Sequence, residues 1–375
     1  MTKFTIGTAE MKKVISQIEP MFKGGMNNMP RILFKVDENI TASATNGESY
    51  TKIVFDAKTI EETGSFVVPG EKFATIVKKS TSSEIQFVTM SNEQANDGEK
   101  SENRLQIVAG KVKYQIALID TQSEYFEAPE FDGGKSFTIS AQELKSAISA
   151  VNCCIDPAKQ HLNCVLLHSN EGEEGKIYAV ATDGMRLGIA ERKATFSTTI
   201  PNLLVPAKAA QYIVSMIGEM SGDINVNYTE NLIQVSTGKI FYTSKLLDTS
   251  FPKYRAVVPQ GNNKILEVKV SDLKNAIDEI TSVSEITFRI KLAIFENRVE
   301  ISCEDNGDNS VGEVEATFSE AKNMEVVCNY RLLKDIITNI SSSLVRIQIS
   351  DPSTPLLIRS VDDSTIQYIF MPFVS

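Results

Sequence analysis

Three lysines recur in one local pattern. Lys12, Lys145 and Lys274 each follow an apolar residue, Met11, Leu144 or Leu273, which is itself preceded by an acid, Glu10, Glu143 or Asp272. A second basic set, Lys72, Lys208 and Arg331, stands early in another recurring segment, and Lys78 and Lys79 extend it. Cations in register can hold an anion, or they can simply solvate a helix face. For a single helix the solvated face is the default, and the threefold register weakens that default without overturning it. Residues that make and break bonds show no comparable order. His161 and His168 lie in one short segment without a recognisable Ser or Cys partner. No GxxxxGK[ST], GxSxG, HExxH or GxGxxG spacing occurs. Cys153, Cys154, Cys164, Cys303 and Cys328 offer neither a CxxC pair nor zinc-ligand spacing, so they read as reduced, buried thiols, with no metal and no cofactor expected.

Helices must carry the lysines. Met11, Val14, Ile15 and Ile18 follow an i, i+3, i+4, i+7 spacing. So do Leu144, Ala147, Ile148 and Val151, and again Leu273, Ala276, Ile277 and Ile280. Each set predicts one apolar stripe on a short helix, and Ser140 with Glu143 adds a capping-box signal to the second. A further helix follows in each copy, at residues 66–79, 203–216 and 326–340, with Pro69, Pro206 and Asn329 at corresponding places. The prolines suit a first helical turn. The segments RILFKVDENITASATN, KIYAVATDGMRLGIAE, NRVEISCEDN and GDINVNYTENLIQVSTGKIFYTSKLL read as strands and tight turns. Residues 91–104 carry no apolar period and read as a long surface loop.

These elements repeat over whole domains. Gly110-Lys111-x-x-Tyr114 with Asp120-Thr121 returns as Gly238-Lys239-x-x-Tyr242 with Asp248-Thr249, and a weaker copy ends at Gln367-Tyr368. The expected fold class is α+β, one unit used three times: residues 1–133, 134–262 and 263–375. A chain of 375 residues, 42% hydrophobic and 23% charged, has room for such cores. No stretch is apolar enough to span a bilayer, and no signal peptide opens the chain, which reads as cytoplasmic. The net charge of −10 opposes general nucleic-acid binding, so any phosphate contact needs local basic patches.

Three segments carry a specific likeness: Ala181-Thr182-Asp183-Gly184-Met185-Arg186-Leu187, Ser244-Lys245-Leu246 through Phe251-Pro252-Lys253-Tyr254-Arg255, and Tyr368-Ile369-Phe370-Met371-Pro372-Phe373. With the threefold repeat they resemble, over the full length, the bacterial DNA polymerase III beta subunit, the sliding clamp. The resemblance implies a non-catalytic processivity factor with the DNA clamp fold. Two subunits would close head to tail into a ring, helices lining a central hole and sheets outside. Lys12, Lys72, Lys145, Lys208, Lys274 and Arg331 would then face duplex DNA and hold its backbone without reading sequence. Lys159 would be a weaker contact, in the stretch Lys159-Gln160-His161 that departs from the family's arginine and aromatics. Lys23-Gly24-Gly25-Met26 matches a contact loop in which Met26 replaces an arginine, with Lys23 or Arg31 as substitutes.

The resemblance also implies a pocket for Leu/Phe-rich peptide motifs between the second and third domains. Its matching residues are Leu162, Thr182, Gly184, Met185, Arg186 and Leu187, then Pro252, Tyr254 and Val257, then Ile369, Phe370, Met371, Pro372 and Phe373. Met185 stands where the family often has His or an aromatic, and Ala256 where it often has a base. The implied dimer contact sets Tyr114 and Ile116 against Ile280 and Val283. Implied partners are the polymerase III catalytic subunit, the clamp loader, translesion polymerases and mismatch-repair proteins, with no membrane. Two alternatives stay open: a metabolic enzyme with a deep polar junction site, and a protein-only scaffold.

Overall fold

The computed structural model describes residues 1–22, 30–90, 103–120, 131, 134–218 and 220–373. The expected loop around Met26 and residues 91–102 of the one expected at 91–104 lie outside these residues, as do Thr121 and Asp132-Gly133 at the first domain boundary, while Arg104 begins the strand Arg104–Ala109. The chain forms two compact units, Met1–Ala141 with Tyr212–Leu246, and Gln142–Gln211 with Leu247–Ser375. The units follow continuous sheets, and the second sequence repeat is divided between them. The first unit holds a 5-stranded and an 8-stranded sheet, and the second a 12-stranded sheet.

Six α-helices occur among the described residues: α1 (Thr8–Ile18), α2 (Gly70–Lys79), α3 (Ala141–Asn152), α4 (Ala207–Ile217), α5 (Val270–Ile280) and α6 (Tyr330–Thr338). The apolar stripes are buried as their spacing predicts: Met11, Val14, Ile15 and Ile18 on α1, and Leu144, Ala147, Ile148 and Val151 on α3. On α5, Leu273, Ile277 and Ile280 are buried, while Ala276 is only half-buried. Helix α1 packs on α2, and α5 on α6. Each pair is laced by an ion pair, Lys78 to Glu19 and Lys334 to Asp278. Pro69 and Pro206 do not enter their helices. They end the strands Gly64–Pro69 and Leu203–Pro206, immediately before α2 and α4. Their fixed φ suits that last extended residue as well as a first turn. Asn329 occupies the same place in the third copy, where its side chain accepts from Arg331 N and Leu332 N at 3.0 and 3.3 Å, capping α6.

Two strand junctions join consecutive repeats. Within the first unit, Ser49–Phe55 pairs antiparallel with Ile240–Lys245, Ser49 opposite Ser244. Within the second, Arg186–Lys193 pairs antiparallel with Ile366–Phe370, Arg186 opposite Phe370. In both cases the last strand of one repeat docks on an inner strand of the repeat before it, the third strand after that repeat's first helix. Gly110 and Gly238 explain why the Gly-Lys pair recurs: their φ values of 61° and 83° place both in left-handed turns before those last strands.

Candidate functional site

The segment at residues 182–187 is a turn that binds itself. Asp183 Oδ1 accepts from the backbone N–H of Met185 and of Arg186, each at 2.8 Å. Thr182 Oγ1 donates to Arg186 O at 2.7 Å and accepts from Gly184 N at 3.1 Å. Gly184 takes φ 91°, which an L side chain rarely adopts. The turn therefore displays Gly184 and Met185 to solvent, while Thr182, Arg186 and Leu187 are buried. The guanidinium of Arg186, its residue 7% exposed, bonds Asp183 Oδ2 at 3.0 Å, Asp335 Oδ2 at 2.9 Å and Leu332 O at 3.0 Å. Its charge is spent on α6 and on its own turn, so Arg186 supports the site from beneath. Charge-assisted bonds of this kind are the stronger ones.

The C-terminal segment lies alongside. Met371 N donates to Met185 O at 2.9 Å, and Phe373 N to Val327 O at 2.7 Å. The Arg289 guanidinium stands 4.6 Å from the Phe373 ring centroid. Leu187, Tyr254 and Ile369 belong to one buried apolar cluster with Leu166, Val180 and Leu357, against which Leu247, Phe251 and Val258 pack. Leu162, Phe370 and Pro372 are buried too. The exposed rim is formed by Gly184, Met185, Pro252 and Val257, with Met371 and Phe373 half-buried. All of these residues belong to the second unit. They form an apolar floor with a flexible methionine at its rim, which suits capture of an apolar side chain. Sequence reading missed the residues that hold the site: Asp335 and Leu332 under Arg186, Val327 and Arg289 at the tail, and His168 behind Tyr254. Of these supports the sequence offered no local signal, since each lies far along the chain from the residue it holds.

The basic residues occupy matched helix positions. Lys12, Lys145 and Lys274 are each the fifth residue of α1, α3 and α5, and all three are half-buried. Lys12 Nζ donates to Ser80 O at 2.8 Å, capping the end of α2. Lys72, Lys208 and Arg331 are exposed in the first turns of α2, α4 and α6, and the Arg331 guanidinium lies 4.2 Å from the Phe288 ring centroid. Lys159 is exposed and paired with Asp156 at 3.2 Å.

Strand Val112–Ala117 is an edge of the 5-stranded sheet. There Val112 is 49% exposed, Tyr114 is half-buried, and Ile116, at 5%, faces the core. Ile280 is 6% exposed and lies under Gly312, where a Cβ would come within 3.0 Å of its Cδ1. The side chain of Val283 lies outside the described residues. Ile116 and Ile280 thus support edges from behind, whereas the expected contact had their side chains exposed.

A cavity of about 780 Å3 opens in the first unit between α1, α4 and the strands Ser49–Phe55 and Ile240–Lys245. Its charged lining is Glu10, Lys13 and Lys239, among Val14, Ile53, Phe55, Met216 and Ile217. Of its titratable lining, burial raises Tyr212 and pairing with Asp56 raises Lys239, and both shifts hold the group in its ordinary protonated form rather than poise it for proton transfer at pH 7. Among the buried thiols, Cys164 is pushed up to about 11 and Cys328 to about 12 by burial, which leaves both protonated and inert.

Known proteins similar to this chain share one description. Family models for the central and C-terminal domains of the DNA polymerase III beta subunit match residues 138–253 and 255–374, together more than half of the chain. The beta sliding clamp of Caulobacter vibrioides is 26% identical, and that of Vibrio cholerae 23%, each match covering 99% of both chains. A sliding clamp from Bartonella birtlesii, solved bound to griselimycin, has a similar fold at TM-score 0.89 and 24% identity, with 100% of each chain covered.

Proposed function

The chain belongs to the DNA polymerase III beta subunit family, and from that premise we propose that it is a sliding clamp, a processivity factor without catalysis of its own. Two copies close head to tail around duplex DNA. Each copy contributes three clamp domains, residues 1–133, 134–262 and 263–375. The helices carrying Lys12, Lys145 and Lys274, with Lys72, Lys208, Arg331 and Lys159, face the DNA as diffuse positive charge. No single phosphate contact dominates, so the ring moves along the duplex at little cost, and retention is topological.

One observation carries this reading: the strand junctions leave two edges over. The last strand of the second repeat pairs with Ser49–Phe55, and that of the third with Arg186–Lys193. The last strand of the first repeat, Val112–Ala117, is an edge. In the third repeat the strand equivalent to Ser49–Phe55 and Arg186–Lys193 is Asp308–Phe318, which pairs along one side with Arg298–Asp305, and on its other side with Lys264–Lys269 only through Ala316, Thr317 and Phe318. Among the described residues, positions 308–315 thus keep one side open. A second copy supplies the missing partner for each edge, in a heterologous contact that closes after two copies. Tyr114 flanks that contact, with Ile116 and Ile280 behind it, and the chain at Val283 belongs to the same proposed interface.

The floor under Leu187, Tyr254 and Ile369, rimmed by Gly184, Met185, Pro252, Val257, Met371 and Phe373, receives the Leu/Phe-rich motifs of partner proteins. These are the polymerase III catalytic subunit, the clamp loader, translesion polymerases and mismatch-repair proteins, all in the cytoplasm. Among the described residues no helix is long and apolar enough to cross a membrane. The deciding experiment loads the protein onto nicked circular DNA and then cuts the circle. The complex is expected to survive on the circle and dissociate from the linear form. Equal retention on both overturns the reading.

A further inference from the structure

His168 closes the strand Cys164–His168 and is 6% exposed. Its Nδ1 lies 3.3 Å from Ser169 O, and its Nε2 lies 2.9 Å from Tyr254 Oη. A carbonyl oxygen only accepts, so Nδ1 carries the proton. In the neutral ring Nε2 is then an acceptor, and the Tyr254 hydroxyl donates to it. The ring also stacks on Tyr178 at 5.5 Å and meets Tyr254 edge-on at 5.8 Å. Tyr254 begins the short 3-10 turn Tyr254–Val257, which follows Pro252 and carries the exposed Val257. His168 is therefore the polar tie between this turn and the sheet.

The charges around the ring set its preferred state. The Arg255 guanidinium lies 5.4 Å from the Tyr178 centroid and 5.5 Å from that of Tyr254. Glu173 and Glu191 accept from the Tyr178 hydroxyl at 2.5 and 3.2 Å, and Lys176 pairs with Glu191 at 2.9 Å. Burial and, less strongly, Arg255 disfavour protonation of His168, against Ser169 O and Glu173, and the net direction is down from the ordinary imidazole value. Neutral imidazole is thus the folded form at pH 7. As pH falls below the unfolded value of about 6.5, the unfolded chain binds the proton first. The native tie is then lost as pH falls further, through the lower folded value.

We propose that His168 is a positioning residue for the partner surface: as a neutral acceptor it fixes Tyr254, and with it the wall that presents Pro252 and Val257. Peptide affinity accordingly falls when the ring gains a proton, because Nε2 can then only donate, and the Tyr254 hydroxyl must turn its hydrogen away from the acceptor that held it. This rests on the reading that residues 252–257 border the peptide site.

The test is fluorescence anisotropy of a labelled Leu/Phe-rich peptide, capped at both ends and free of titratable side chains, from pH 5.5 to 8. The proteins compared are the full-length wild type, His168→Gln, His168→Leu and Tyr254→Phe. The wild type is expected to bind progressively more weakly as pH falls from 7.5 to 5.5, the loss approaching about tenfold, the size of one hydrogen bond, only as the ring becomes fully protonated. His168→Gln keeps an acceptor that does not titrate, so it binds within about twofold of wild type at pH 7.5 with a flat profile. Tyr254→Phe and His168→Leu bind about tenfold more weakly at every pH, and their double variant no more weakly than either alone. Where His168→Leu fails to fold, His168→Gln and Tyr254→Phe decide. A wild type that never binds the peptide removes the site itself. A wild type that binds, with His168→Gln showing the same pH slope, overturns the role of His168 and leaves the site standing.

Discussion

Arg186 shows how one side chain ties two sequence repeats. Buried charges are favourable only when their partners are complete, and here Asp183, Asp335 and the Leu332 carbonyl complete them. Replacing Arg186 with Met keeps the stem and removes those bonds. Asp183, at 14% side-chain exposure, is left without its cation, while Asp335, at 54%, regains water. The expected loss is about 2–3 kcal/mol, toward the low end for a broken buried pair, read from the urea midpoint. Gly188 makes a different demand. A Cβ there would sit 3.2 Å from Cys154 Sγ and 3.3 Å from Val151 Cα, because α3 packs directly on that strand. Gly188→Ala is expected to cost about 1–3 kcal/mol in the same titration, with the denaturant slope unchanged. The sequence made the turn at Asp183-Gly184 legible, because an Asp-Gly pair has a local cause. It could not make Asp335 or His168 legible as supports, since each acts through a residue far away in the chain.

At the scale of elements, the helices and the edge strand at Tyr114 were readable, and the open side at positions 308–315 was not. An i, i+3, i+4, i+7 stripe records burial directly, and every large residue named for the α1, α3 and α5 stripes is indeed buried. Strand Asp308–Phe318 (DNSVGEVEATF) hides better, because its alternation is acid against small or β-branched residues and its role depends on which side stays open. Ile116 and Ile280 entered as contact positions through the resemblance alone, and which face each turns to the core became visible only in the fold. The capping of α6 is a local device, so Asn329→Ala is expected to cost about 1 kcal/mol, measured by thermal unfolding against the wild type. The basic helices act together. Changing Lys12, Lys145 and Lys274 to Glu in one protein is expected to flatten the salt dependence of DNA retention, by roughly 0.9 in log–log slope for each phosphate contact removed. Single changes do little. Lys12→Glu also gives up its bond to Ser80 O, so its stability is measured alongside. A triple variant with the wild-type slope would remove these lysines from the DNA-facing wall.

The whole molecule is acidic, 48 carboxylates against 38 Lys and Arg, so long-range attraction to DNA is not what holds it there. Enclosure is the physical alternative, and enclosure by this chain needs a second copy. The repeat makes the requirement specific. Each internal junction is a ladder between the last strand of one repeat and an inner strand of the repeat before it, and only the edges at Val112–Ala117 and at positions 308–315 lack that match among the described residues. Val311 stands on the second of these edges and is 56% exposed, so a charge placed there is tolerated by the folded chain and opposes only the contact between copies. Val311→Asp is therefore expected to sediment at the mass of one chain at concentrations where the wild type sediments at twice that mass. Its thermal midpoint should stay close to that of a wild type diluted to monomer. Peptide binding should persist, because every residue of the proposed floor and rim comes from one unit of one copy. Retention on nicked circular DNA should vanish with the dimer. A Val311→Asp protein that remains dimeric would move the closing contact to another surface, and a wild type that is monomeric at every concentration would remove closure altogether.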